Sequence, residues 1–235
     1  MATSRQTFET GSAMALPCVE IETAASPQWA IIWLHGLGAN GHDFEPIVPE
    51  LVDPAWPPLR FVFPHAPERA ITINGGMRMP AWYDISGQEI AQKQDEVGIR
   101  ASIKLLEELI TREHERGIAP AHVLLAGFSQ GGAIVLSGGV RHSGKLGGII
   151  ALSSYLPLAE KTAAECSAEN RNLPIFIAHG THDPMVAQAL GLMSRDYLQQ
   201  LGFAVDWHVY PMQHQLCLEE IHDLRAWITA RIAAG

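Results

Sequence analysis

Basic residues are scarce in this chain: 16 Lys and Arg stand against 25 Asp and Glu, for a formal net charge of −9. They form no cluster, which excludes the electrostatic footprint of a nucleic-acid-binding surface. Cysteine is equally sparse. Cys18, Cys166 and Cys217 are odd in number, widely spaced and without a CxxC pair, so neither a disulfide framework nor a zinc site is indicated and buried free thiols are expected. No run approaches the roughly 18 apolar residues that a membrane-spanning helix needs, so no stable membrane insertion is expected. The first 15 residues carry Arg5 and Glu9 but no apolar core, unlike a secretory signal, and a cytoplasmic location is the default. Residues 1–15 are expected to be loosely ordered and residues 16–235 to form a single domain. Internal repeats, low-complexity tracts and linker-like shifts in composition are also missing.

What is present is an ordinary globular composition, 47% apolar and 17% charged over 235 residues, with apolar runs alternating with helical periodicities. That alternation reads as an α/β fold with a mostly parallel sheet and helices on both faces. Short runs at Trp29 to Leu34, Arg60 to Phe63, Val123 to Ala126, Gly148 to Leu152 and Ile175 to Ala178 read as buried strands, with a further strand at Ala204 to Tyr210. Ile99, Ile103, Leu106 and Ile110 recur at helical spacing before Gly117, as do Val186 to Leu201 before Gly202 and Ile221 to Ile232 at the end. The stretch from Pro64 to Gln94, with Asn74-Gly75-Gly76, breaks this rhythm. It reads either as a functional loop or as a flap over a sheet edge.

Gly127-Phe128-Ser129-Gln130-Gly131 follows one of these strands and precedes an apolar run that continues as a helix. A serine between two glycines at a strand-to-helix turn is the nucleophile-elbow pattern: the turn lifts the hydroxyl above the sheet, and a Cβ at either glycine would crowd neighbouring segments. A serine hydroxyl needs a histidine base, and the base needs a carboxylate, in the chain order Ser, acid, His on this type of sheet. Asp183 lies in the loop after the strand Ile175 to Ala178, and His214 lies in the loop after the strand ending at Tyr210. Among eleven histidines, His208 falls within a strand, His222 within a helix and His182 before the acid. Asp206, the nearest rival acid, sits mid-strand, where a structural role is expected. The oxyanion needs two backbone N–H donors: Gln130 follows the nucleophile, and Leu37 lies in the glycine-flanked turn His35-Gly36-Leu37-Gly38. His35 is expected to bond within that turn.

These residues, together with Trp33 to Gly41, Asp43-Phe44, Asn74 to Met79, Trp82-Tyr83-Asp84 and His179-Gly180, resemble the carboxylesterase and acyl-protein thioesterase family of small α/β-hydrolases over nearly the whole chain. The resemblance implies an α/β-hydrolase fold without a large cap domain. It also implies cytosolic hydrolysis of carboxylic esters and thioesters, with Ser129, Asp183 and His214 as triad and Leu37 and Gln130 at the oxyanion hole. No metal or organic cofactor is required; the partner is a small ester or an acylated substrate, acylated protein included, and monomer and homodimer both stay open. Two departures bear on pocket shape: Gln215-Leu216 follow His214 where a small polar residue and valine are usual, and Val186-Ala187 replace Val-Pro. Met77, Met79 and Trp82 are candidates for binding the acyl group, Trp82 having loop anchoring as its alternative role. A lysophospholipase-like lipid esterase uses the same machinery. A non-catalytic binding protein of this fold would have lost at least one reacting residue, and none is missing here.

Overall fold

The structure, a computed structural model, describes residues 16–87, 90 and 92–235; the expectation for residues 1–15 lies outside the described residues. In chain order the elements are β1 Cys18–Glu22, β2 Trp29–Leu34, α1 Val48–Leu51, β3 Leu59–Pro64, β4 Glu68–Ile71, β5 Met77–Pro80, α2 Glu96–Glu115, β6 Val123–Phe128, α3 Gln130–Gly139, β7 Gly148–Leu152, α4 Ala159–Glu165, β8 Pro174–Gly180, α5 Gln188–Gln200, β9 Ala204–Tyr210 and α6 Leu218–Ala234. The central sheet has the order β1-β3-β2-β6-β7-β8-β9. All its neighbours are parallel except β1, which lies antiparallel on the outer edge of β3.

The continuous apolar runs split by side-chain alternation, as a sheet covered on both faces requires. Ala30, Ile32 and Leu34 of β2 join Leu125 of β6, Ile149 of β7 and Ile177 of β8 in one core, where α2, α3 and α5 pack through Ile99, Ile110, Ile134, Leu136 and Leu198. Trp29, Ile31 and Trp33 face the other way, with Phe61, Leu124, Ile150 and Phe176, against Leu51 of α1 and Leu224 and Ile228 of α6. Every parallel strand therefore ends at the same edge, where the loops carrying polar residues gather.

Two features departed from the sequence reading. β1 was not anticipated: Cys-Val-Glu-Ile-Glu is short and carries two charges, and it forms because Glu22 meets Arg60 of β3 at 2.8 Å while Glu20 meets Arg112 of α2 and Arg116 just beyond its end. The stretch from Pro64 to Gln94 is not a bare loop. It contains the antiparallel hairpin β4–β5, closed through Gly75 and Gly76 at φ of 67° and 81°, the left-handed region that glycine enters without strain. The thiols are free, but they are part-buried rather than buried. Cys18 lies on the sheet edge and Cys217 at the start of α6.

Candidate active site

β6 ends at Phe128, and the chain reverses into α3 within one residue. Ser129 has φ 55° and ψ −118°, a conformation that costs a non-glycine residue about 1–3 kcal/mol. Its neighbours hold it there: Ser129 N–H donates to Leu152 O at 2.8 Å, and its carbonyl accepts from Ala133 N–H and, at 2.7 Å, from Ser154 Oγ. The flanking glycines are sterically required. A Cβ on Gly127 would lie 2.5 Å from the Gly131 carbonyl, and one on Gly131 would run into the Leu34 carbonyl.

Asp183 lies just beyond the end of β8, and its side chain is excluded from solvent. Its Oδ1 accepts from the N–H groups of Met185 (2.8 Å) and Val186 (2.9 Å), and its Oδ2 faces His214 Nδ1 at 2.7 Å. A carboxylate can only accept, so Nδ1 carries the imidazole proton and Nε2 is left with a lone pair. That lone pair faces Ser129 Oγ at 2.8 Å. Phe128 packs on the His214 ring, with centroids 4.7 Å apart, which restricts its rotation. The three residues picked from the sequence are thus brought together in a continuous chain of hydrogen bonds. Asp206 lies mid-strand on β9 opposite Phe176, and takes no part.

The turn at Leu37 borders the cleft beside Ser129. Gly38 N–H donates to Pro80 O at 2.9 Å and Ala39 N–H to Gly36 O at 3.3 Å, whereas among the described residues Leu37 N–H has no acceptor. Gln130 opens α3, so its N–H is one of the donors that a helix cannot satisfy internally. Both residues line the cleft beside Ser129. His35 bonds within its turn and also beyond it. Its Nε2 accepts from Ala66 N–H at 3.0 Å, so Nδ1 is the protonated nitrogen and donates to Gly36 O at 2.7 Å. Burial pushes its pKa down, which keeps the ring neutral.

The cleft above Ser129 encloses about 380 Å³ and is walled mainly by Leu37, Phe44, Tyr83, Ile85, Phe128 and Tyr155, with Met185 and Val186 beside the base. The acyl-binding candidates need correction. Met77, Met79 and Trp82 are absent from this lining. Met77 points to solvent near the hairpin turn, and Met79 lies behind the oxyanion turn, 3.7 Å from where a Cβ on Gly38 would stand. Trp82 is buried as an anchor, its Nε1 donating to His35 O at 2.9 Å. Apolar residues in a flap look alike in sequence whichever side they turn to, and the hairpin twists these outward or backward.

Sequence reasoning also missed the Gln130 side chain. Its Oε1 accepts from Trp82 N–H at 2.8 Å and its Nε2 donates to Tyr83 O at 2.6 Å, so the residue after Ser129 clamps the loop that supplies Tyr83 to the cleft. Among the described residues there is no group of His, Cys, Asp and Glu arranged to hold a metal ion.

Residues 16–232 match the phospholipase/carboxylesterase family. The chain belongs to that family. It is 39% identical to the acyl-protein thioesterase 1 of Neurospora crassa, over 93% of this chain and 91% of that one. It is 37% identical to the acyl-protein thioesterase 1 of Yarrowia lipolytica, over 92% and 97%. Among solved structures, Arabidopsis thaliana SOBER1 superposes with a TM-score of 0.83 at 29% identity, covering 87% of this chain and 99% of that one. The acyl-protein thioesterase 2 of Zea mays superposes with a TM-score of 0.79 at 26% identity, covering 92% and 99%. Within the family frame the α/β-hydrolase fold is plain: a mostly parallel sheet flanked by helices in one small domain.

Proposed function

We propose that this chain is a serine hydrolase that cleaves carboxylic esters and thioesters of short to medium acyl groups, with Ser129 as nucleophile, His214 as base and Asp183 as the orienting acid. The observation that carries the reading is the unbroken contact from Asp183 Oδ2 through His214 to Ser129 Oγ, at 2.7 and 2.8 Å. The proton on Ser129 Oγ passes to His214 Nε2 as Oγ bonds to the substrate carbonyl carbon. The oxygen that becomes negative lies between the N–H groups of Leu37 and Gln130, donors fixed before the reaction and needing no reorganisation during it. His214 then returns the proton to the departing alcohol or thiol, leaving an acyl group on Ser129. Water, deprotonated by the same histidine, releases the acid.

The relatives named acyl-protein thioesterases make an acylated protein the fitting substrate class. An apolar wall of Phe44, Tyr83, Ile85 and Tyr155 suits an acyl chain, and a bulky leaving group remains outside an open cleft. A cytoplasmic location belongs to the same reading; among the described residues no helix is long and apolar enough to cross a membrane.

A fluorophosphonate should label intact protein once, at Ser129, and Ser129→Ala should lose both labelling and turnover while keeping the wild-type melting curve. Turnover by purified Ser129→Ala at the wild-type rate would end this reading. Octanoyl thioester, octanoyl ester and lysophospholipid rates measured side by side separate a thioesterase from a lipid esterase.

A further inference from the structure

Below the reacting groups lies a histidine to which this chemistry assigns no task. His179, the penultimate residue of β8, is fully buried. Its Nε2 stands 2.8 Å from the Val186 carbonyl oxygen and 3.6 Å from Asp183 Oδ2. A carbonyl oxygen only accepts, so Nε2 carries the proton and Nδ1 holds a bare lone pair. That nitrogen is buried, and it has no hydrogen-bond partner among the described residues. It faces the backbone of Gly191 in α5, where a Cβ would come within 2.6 Å, and the Trp207 ring packs alongside. The ring is therefore held in one tautomer and orientation. An orphaned buried acceptor costs roughly 1–3 kcal/mol, a cost that an apolar side chain in the same space would avoid.

The benefit lies in what the Nε2–H touches. Residue 186 is gripped on both sides: its N–H donates to Asp183 Oδ1 and its carbonyl accepts from His179. The Asp183 side chain is excluded from solvent, so these bonds and the one from the Met185 N–H hold its carboxylate in the turn from Asp183 to Val186. The positive end of the Nε2–H dipole also faces Oδ2, the oxygen that bonds to His214. Burial pushes the pKa of His179 down, against a smaller upward pull from the Val186 carbonyl and Asp183. The ring thus remains a neutral dipole and does not compete with His214 as a cationic partner for the acid.

We propose that His179 is a positioning residue of the hydrolase: its Nε2–H locks the acid turn through Val186 and so sets how Asp183 orients His214. The proposal rests on the assignment of Ser129, Asp183 and His214 made above. It touches no substrate atom and acts only through the acid.

The test uses full-length protein with active sites counted by fluorophosphonate, so that misfolded molecules are not scored. His179→Leu removes the donor and keeps the bulk; His179→Gln keeps an N–H near the position of Nε2. Misplacement of a reacting group by about 1 Å costs on the order of a hundredfold, so His179→Leu should lower kcat per active site by roughly ten- to a hundredfold with KM little changed. It should also displace the acid-side limb of the kcat/KM pH profile to lower pH, because an imidazolium with a misaligned carboxylate forms less readily. His179→Gln should recover both. In an Asp183→Asn background, His179→Leu should cost nothing further. A drop in melting temperature with unchanged kcat per site and an unmoved pH profile overturns the proposal, as does full additivity with Asp183→Asn. If wild type labels at Ser129 and these variants behave like it, the triad stands and only the role of His179 falls.

Discussion

Gln130 holds Trp82 by its backbone N–H, at 2.8 Å from the glutamine Oε1, so the turn bearing Ser129 and the loop walling the cleft are tied together. The same side chain grips Tyr83 O with its amide N–H, and Ser102 Oγ donates to Trp82 O from α2. Tyr83 in turn meets Tyr155 across the cleft, with hydroxyl oxygens 3.1 Å apart. One glutamine thus has two separable parts: a backbone N–H at the start of α3 beside the cleft and a side chain that shapes the wall.

Gln130→Ala separates them. The N–H remains, but Trp82 N–H and Tyr83 O lose their partners in a buried place, at a cost of about 1–3 kcal/mol each. The variant should melt several degrees lower and show a raised KM with kcat reduced less, the pattern of lost binding rather than lost chemistry. A collapse of kcat with an unchanged melting temperature and KM would place the side chain on the reacting atoms instead.

Asp183→Asn keeps size and burial while reversing the hydrogen-bond logic at His214 Nδ1. An amide placed with its NH₂ toward Nδ1 would force the proton onto Nε2, where the imidazole no longer accepts from Ser129 Oγ. Comparable triads lose about ten-thousandfold in kcat from this change. A loss of less than tenfold, with active sites titrated, would move the orienting acid elsewhere.

The positions of the candidate site were legible in the sequence because its residues interrupt apolar runs at their ends. Ser129 follows β6, Asp183 follows β8 and His214 follows β9, and a parallel sheet brings such ends to one edge whatever the sequence separation. The orienting contacts were not readable for the opposite reason. Gln130 and Trp82 are 48 positions apart, and nothing in Trp82-Tyr83-Asp84 says whether its backbone or its rings face the elbow. His179 and Met79 show the same limit from two sides: a polar residue at a strand end reads as loop chemistry when it is buried below the acid, and an apolar one in a flap reads as lining when it packs behind the turn.

Glu220 gives a pH-dependent stability. It sits in the first turn of α6, fully buried, and among the described residues neither carboxyl oxygen has a hydrogen-bond partner. Burial raises its pKa to about 8, against a slight lowering by the Cys217 backbone. The unfolded chain releases this proton near the ordinary carboxylate value, whereas the folded chain keeps it to about pH 8. Between those limits the native state binds more protons, so stability falls as pH rises and levels off above the folded pKa. Glu220→Gln should remove that slope. Its gain over wild type, of the order of a few kcal/mol at most, should be small at pH 5 and largest above pH 8 in urea melts. Parallel stability curves across that range would show that Glu220 is not protonated in the fold.

The absence of a cap sets how the hydrolase responds to aggregated substrate. Between the end of β7 at Leu152 and the start of β8 at Pro174 the helical structure is α4 alone, and α4 is tied down. Arg141 donates to Leu158 O and Thr162 Oγ1, both at 3.0 Å, and meets Glu165 at 2.7 Å; Lys161 binds Glu96 of α2, and Arg100 of α2 binds Glu165. A helix held by a part-buried arginine at three points is a wall and not a moving lid. The cleft is already open, with Met185 about two-thirds exposed at its margin, so no surface-induced opening step is needed before Ser129 can be reached. Rates with one ester, measured through its aggregation threshold, should therefore saturate smoothly, and Arg141→Ala should cost stability without raising the rate on monomeric substrate. An abrupt rise at the threshold, or activation of monomer hydrolysis by Arg141→Ala, would mean that α4 swings away from the cleft and that the enzyme behaves as a lipase.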